Sequence, residues 1–192
     1  MISAFETYLH THAGLTGEEI NRISSAATAR SIRRNELILQ EGQVCRHKTF
    51  LVSGLLRTYG IVADGSEHIL QFASENTWTL DAESYDHQKP TLFNIAAVER
   101  SELLQWTKPA FDRLLLEIPA LKAFSEQLIA NSNHRSRQRL FTSLSATPEE
   151  KYEDFVRLFP DLLARLPLHM IAAYLGISLK TLTRIRHAQL KR

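Results

Sequence analysis

The sequence predicts an α+β chain: an antiparallel β-roll of jelly-roll type flanked by helices, then a long helix, then a C-terminal helix-turn-helix. Three observations predict it. From about Arg30 to Thr107, short segments rich in β-branched and aromatic residues alternate with turn signals. From Ala120 to Leu144, apolar residues recur at helical spacing over a length unusual for a small domain. From Leu168 to the end the charged side chains are all basic, and the apolar residues fit two short crossed helices.

Residues 3–28 read as short helices. Thr16-Gly17-Glu18-Glu19 opens a run in which Ile20, Ile23 and Ala27 share a face, with acids in the first turn. The roll segments are Ile32, Glu36–Leu39, Phe50–Val52, Leu55–Val62, Ile69–Phe72, Phe93–Val98 and Leu103–Trp106. Arg34-Asn35, Glu41-Gly42, Ser53-Gly54, Ala63-Asp64-Gly65-Ser66 and Glu75-Asn76 separate them, and Asp64-Gly65 is a hairpin signal. After Pro109, Phe111, Leu114 and Leu115 form one short helix, and Pro119 starts the next. That long helix carries Leu121, Phe124, Leu128 and Ile129 on one side, and its length predicts packing against a twin in a homodimer. Ser145-Ala146-Thr147-Pro148 marks a boundary. The expected domains are therefore 1–118, the roll; 119–147, the long helix; and 148–192, a compact helical module.

Composition narrows the function. With 44% hydrophobic and 23% charged residues the chain can fold around a proper core. The apolar run Leu92–Val98, interrupted by Asn94, is far short of a membrane span, and no secretory signal is visible. A cytoplasmic location is expected. The single cysteine, Cys45, excludes an internal disulfide and a Cys-ligated cluster within one chain. Arg46, His47 and Lys48 follow it, but an unreactive cysteine is the expectation. No cofactor or metal is expected: His10 and His12 diverge on a helix, and His47, His68 and His87 lack the paired spacing of a roll metal site. Neither a nucleophile elbow nor a phosphate-cradling glycine loop is present, so no enzyme is expected. Charge is divided unevenly: residues 1–132 carry 12 basic and 16 acidic side chains, and residues 133–192 carry 11 and 5. A basic end on a mildly acidic body points to double-stranded DNA as partner.

The spacing within Leu168–His187 supports this. Ile171 and Leu175 give a first helix its inward face, and Ala172 lets a second helix cross closely. Gly176 permits a left-handed turn, Ile177 plugs the junction and Ser178 N-caps the second helix. Leu182 and Ile185 point back to the core. At about 100° per residue, Lys180, Arg184, His187 and Lys191 fall on the opposite face, as a major-groove reader requires.

This segment resembles the motif of the Crp/Fnr superfamily of bacterial transcription regulators, particularly a Bacteroidetes-type branch. Ile171-Ala172-Ala173-Tyr174-Leu175-Gly176-Ile177 and Thr181-Leu182-Thr183-Arg184-Ile185-Arg186 carry the likeness. Further upstream, Glu36–Gly42, Phe50–Arg57 and Ile95–Leu104 resemble the entry, the strand–glycine–strand and the late strands of the family's roll. The resemblance implies a cyclic-nucleotide-binding-like roll, a dimer helix and a winged-helix-like DNA-binding domain. Glu149–Leu166 reads as helical where relatives often place a β-hairpin, so the wing is in doubt. Arg184 matches the family's base-reading arginine, whereas Lys180 and Leu179 stand where relatives carry an acid and an arginine. His169, Ser178 and Thr181 are expected on phosphates, and Arg186 on a flanking phosphate. RNA polymerase is a candidate partner.

In cyclic-AMP-binding relatives a Gly-Glu pair opens the phosphate cassette and an Arg-Ser pair closes it. Here Leu80-Asp81 and Thr91-Leu92 take those places, with Glu83 and Asp86 adding negative charge and Lys89 as the nearby cation. Control by cyclic AMP is therefore not expected. Any effector is expected to be neutral, cationic or apolar, in a pocket of Phe72, Trp78, Asp81, Glu83, Tyr85 and Thr91. The leading expectation is a homodimeric regulator reading a palindromic site through helix 178–190. The alternative is a small-molecule-sensing roll whose helical tail mediates protein contacts.

Overall fold

The computed structural model describes residues 2–189. The chain divides into two compact units, one built from residues up to Gly60 with Gln71–Leu128, the other from Ile61–Leu70 with residues from Ile129 onward.

Two helices, α1 (Ile2–His12) and α2 (Gly17–Ser25), precede the strands. Thr16 starts α2 with a reciprocal capping box: its hydroxyl accepts from Glu19 N–H, and the Glu19 carboxylate accepts from Thr16 N–H at 2.8 Å. The helix ends at Ser25, so Ala27 lies beyond it rather than on its face. The strands are β1 (Thr28–Ile32), β2 (Leu37–Leu39), β3 (His47–Ser53), β4 (Leu56–Ile61), β5 (Glu67–Ala73), β6 (Thr77–Thr79), β7 (Asn94–Ala97) and β8 (Ser101–Thr107). They form two four-stranded sheets, β1-β8-β3-β6 and β2-β7-β4-β5, the layered roll that the segment pattern predicts.

Alternation along β3 and β8 divides the interior in two. Phe50 pairs with Leu104 and Leu51 with Leu103 in the antiparallel register. Phe50, Leu104 and Trp106 face a helical layer containing Phe5, Leu9, Ile23, Phe111, Leu121 and Phe124. Leu51 and Leu103 face the opposite way, onto Ile32, Leu39, Leu56 and Ile95. Period two thus gives each strand one side in each core. Trp106 Nε1–H donates to Ile23 O at 2.8 Å, which satisfies the one polar atom that burying this ring would otherwise orphan. Between β3 and β4 the chain passes Ser101 so closely that only glycine fits: Gly54 has φ +102°, and a Cβ there would stand 2.7 Å from Arg100 O.

Beyond β8 the chain is helical: α4 (Lys108–Glu117), α5 (Pro119–Ser145), α6 (Pro148–Leu158), α7 (Leu162–Arg165), α8 (Leu168–Leu175) and α9 (Leu179–Gln189). Among the described residues no strand follows β8, so no wing hairpin stands between α5 and the helix pair. Thr147 and Glu150 repeat the capping box at the start of α6. The core of the second unit gathers Tyr152, Phe155, Leu162, Leu166, Met170, Ile171, Leu175, Leu182 and Ile185.

Arg139 organises this unit. From α5 its guanidinium donates to Ile69 O at 2.8 Å, to Leu70 O and to Tyr174 O at 2.9 Å, and lies 3.9 Å from the centre of the Tyr174 ring. One cation thereby joins the β4–β5 hairpin tip, the long helix and the first helix of the motif. Burial pushes its pKa down, and the carbonyls and ring supply the compensating negative potential.

One expectation for α5 is corrected. Leu121 and Phe124 are core residues of their own chain and Leu128 packs against that core, so these three are not free to form a seam with a twin. Ile129 and, further along, Leu140, Phe141 and Leu144 are the exposed apolar residues.

Candidate functional site

The helix pair α8–α9 is built as its residue types dictate. Gly176 takes φ +65° and ends α8, and Ile177 N–H donates back to Ala172 O at 3.1 Å. Ser178 then caps α9: its Oγ accepts from Thr181 N–H at 3.1 Å. Ile171, Ala172, Leu175, Leu182 and Ile185 are buried, and Ile177 is half-buried at the junction.

Lys180, Arg184 and His187 are exposed on the outer side of α9, and Arg186 is half-buried towards the packed side. Lys191 and the final residue of helix 178–190 lie outside the described residues. Leu179, at the first turn of α9, is exposed. His169 is exposed on α8. The Ser178 and Thr181 hydroxyls hydrogen-bond each other at 2.9 Å, which uses one of their two O–H groups and leaves the other to donate elsewhere. His169 and Leu179 line a shallow groove of about 310 Å³, whose other side is Ser66, Glu67 and His68 of the hairpin tip.

The sequence reading missed an acidic neighbour. Arg184 Nη2 lies 3.5 Å from Glu149 Oε1 at the start of α6, the two side chains being 73% and 53% exposed. The second helix itself is free of acid, but the face it presents is shared with a carboxylate from 35 residues upstream. No local pattern signals this, because charge counted along one helix ignores what the fold brings beside it.

The six residues proposed for an effector pocket are dispersed. Trp78 lies among Phe5, Phe50, Trp106 and Phe111, with ring centres 5.1–5.8 Å away, on the helix side of the sheet. Tyr85 is buried in the other core, where burial raises its pKa above the ordinary phenol range. Phe72 is buried on β5 and Glu83 is exposed. Asp81 and Thr91 do meet. Asp81 N-caps α3 (Ala82–His87) through Ser84 N–H, and its second carboxylate oxygen accepts from the Thr91 hydroxyl. Thr91 in turn accepts from Phe93 N–H at 3.0 Å, and its backbone bonds Gln43 O and Gly42 N–H. The segment is wired to itself.

Cys45 is buried, and desolvation raises the thiol's pKa above its ordinary value. Such a thiol is a poor nucleophile. Lys48 lies 4.4 Å from the Phe111 ring centre and 5.4 Å from that of Trp78, and burial lowers its pKa to about 8.

Known proteins resemble this arrangement. Residues 29–117 match the cyclic nucleotide-binding domain family. No curated protein matches the chain. Among solved structures, FixK2 from Bradyrhizobium japonicum is 18% identical with a TM-score of 0.72, over 86% of this chain and 84% of that one. The catabolite activator protein of Thermus thermophilus is 22% identical with a TM-score of 0.60, over 96% and 86%. A regulator from Eubacterium rectale, whose name places it in the Crp/Fnr family, is 15% identical with a TM-score of 0.72, over 96% and 88%. These matches establish the fold along most of the chain. No helix among the described residues is long and apolar enough to cross a membrane.

Proposed function

We propose that this chain, a Crp/Fnr-type fold built on a cyclic nucleotide-binding domain, is a non-enzymatic, sequence-specific DNA-binding transcription regulator. The carrying observation is α9: a helix capped by Ser178, held on its partner by Leu182 and Ile185, with Lys180, Arg184 and His187 exposed outward. Arg184 reads a guanine through O6 and N7, Leu179 contacts a base edge, and His169, Ser178, Thr181 and Arg186 hold phosphates. In this reading residues 1–118 sense, 119–147 connect and 148–192 bind DNA.

The working form is a homodimer along α5. Taken from Ile129 at about 100° per residue, Asn133, Ser136 and Leu140 lie within about 40° of one line. Ile129 and Leu140 are 58% and 60% exposed, and Asn133 and Ser136 are also exposed. An asparagine inside an otherwise apolar or small seam favours one register. Two α9 helices would then read half-sites about 34 Å apart.

Cyclic AMP does not control it. Thr91 stands where cyclic-AMP-binding relatives carry the cassette arginine, and its hydroxyl donates to the Asp81 carboxylate, so a cyclic phosphate would meet negative charge without its bidentate cation.

The test is genome-wide mapping of bound DNA, followed by anisotropy titration of a recovered site and a scrambled duplex. The expected result is at least about a thousandfold preference for the site and a log affinity that falls steeply with log salt. Equal affinity for the two duplexes would refute the reading. Light scattering on the full chain, with Ile129→Glu and Leu140→Glu, is expected to turn a dimer into a monomer.

A further inference from the structure

The first unit holds a cavity of about 560 Å³ whose walls come from β1, β2, β3, β6, β7, β8 and the loop 42–46. None of residues 81–93, the cassette segment, lines it. Its floor is apolar, with Ile38, Leu39, Leu80 and Ile95. Polar groups stand above the floor: the Thr49 hydroxyl accepts from Gln105 Nε2 at 3.1 Å and keeps its own O–H to donate, and Thr79 is buried nearby.

The rim is cationic. Arg30, Arg46 and His47 line it, and no acidic side chain does. Glu36 lies outside the lining and pairs with Arg30 at 2.8 Å. Asp81, directly after Leu80, already has both carboxylate oxygens engaged by Ser84 and Thr91. Burial, and then the two guanidiniums, lower the pKa of His47, which keeps the imidazole neutral at neutral pH. Glu36 offsets Arg30 and the Asp81 carboxylate keeps its charge behind Leu80, so what the mouth offers an anion is Arg46, a guanidinium with no carboxylate paired to it among the described residues, above an apolar floor.

We propose that this cavity is a binding site for a small organic carboxylate, a monoanion whose apolar body lies on Leu39, Leu80 and Ile95 and whose carboxylate meets Arg46 beside His47. The size is within the ordinary range for small-molecule pockets of about 300–1,000 Å³. Arg46 is exposed, so its guanidinium is free to take a bidentate carboxylate without a buried charge being stranded when the site is empty. The proposal does not depend on DNA binding.

The experiment is calorimetric titration of the full chain with alkyl and aryl monocarboxylates of about eight to twelve carbons, each beside its neutral amide. 4-Phenylbutanoate and octanoate are the first probes, with inorganic phosphate and cyclic AMP as other anions. At least one carboxylate is expected to bind with micromolar affinity, at least tenfold tighter than its amide. Arg46→Gln is expected to remove that preference, and Arg46→Lys to restore part of it. Neither variant should shift the thermal midpoint. Equal binding of acid and amide overturns the proposal, as does undiminished binding by Arg46→Gln or millimolar affinity across the whole panel. Anion binding that survives Arg46→Gln but is tightened about tenfold or more by Asp81→Asn would place the ligand at the cassette and also overturn it.

Discussion

Replacing Arg184 by alanine separates its ion pair with Glu149 from the guanine contact proposed for it. In the free protein its ion pair with Glu149 is long, at 3.5 Å, and most of both side chains is in water. Exposed pairs of that kind contribute about 0–1 kcal/mol, so Arg184→Ala should move the unfolding free energy by less than about 1 kcal/mol. A bidentate guanine contact is worth about 1–3 kcal/mol. The variant should therefore bind its site about 5- to 150-fold more weakly while remaining nearly as stable. Glu149→Gln provides the complementary measurement. It frees the guanidinium and takes a negative charge from beside the phosphates, and should tighten binding to any duplex by about twofold. Anisotropy titrations over a salt series, on the mapped site and on duplexes altered one pair at a time, read all of this. If Arg184→Ala weakens matched and scrambled duplexes alike, with a salt slope smaller by about one, then Arg184 holds a phosphate and the base-reading assignment is refuted.

Gly54→Ala should be severely destabilising. It sets a Cβ against Arg100 O in a left-handed backbone conformation, and a loss of about 3–5 kcal/mol is expected, seen as a midpoint lower by roughly 6–20 °C. Lys48 supplies a pH signature. Its pKa is about 8 when folded against 10.5 for a free lysine, so the unfolded state holds more protons between those values and stability should rise with pH from about 8. Above about pH 10 the raised pKa of buried Tyr85 opposes the rise, because unfolding then releases the phenol proton. Lys48→Met should raise stability at pH 7 by about 1–2 kcal/mol, the lost stacking on Phe111 and Trp78 offsetting part of the gain. It should also flatten the rise between about pH 8 and 10, which chemical denaturation across that range would show.

Much of the architecture was readable because period and punctuation agree. The roll strands stand where alternation and turn residues put them, the Asp64-Gly65 turn closes a hairpin, and α8 and α9 meet at Gly176 and Ser178 as their residue types require. What escaped was either short or non-local. β6 has three residues and α3 six, too few to display a period, although Asp81 three residues before Ser84 was an available N-cap signal. Leu121, Phe124 and Leu128 have the spacing of a dimer seam, but spacing shows only that a face is covered. Whether the cover is a partner or the chain's own roll depends on tertiary packing. The Asp81–Thr91 bond, the Glu149–Arg184 pair and the approach of Arg30 to the Arg46-His47 pair join residues whose proximity only the fold creates.

The Arg139 junction bears on where this chain can be cut. Its carbonyl partners lie 35 residues downstream and about 70 upstream, so the second unit is assembled from stretches that are not contiguous in the gene. A fragment beginning at Pro148, the obvious place to isolate the helical module, would lack both the guanidinium and the hairpin tip. It would leave the Tyr174 carbonyl and ring without their cation, and would uncover the side of Ala172 and Ala173 that faces the groove. Folding meets the same arrangement in time. A ribosome delivers residues 61–70 long before the helix that grips them, and that helix before Tyr174, so the cation is enclosed only when nearly the whole chain has emerged.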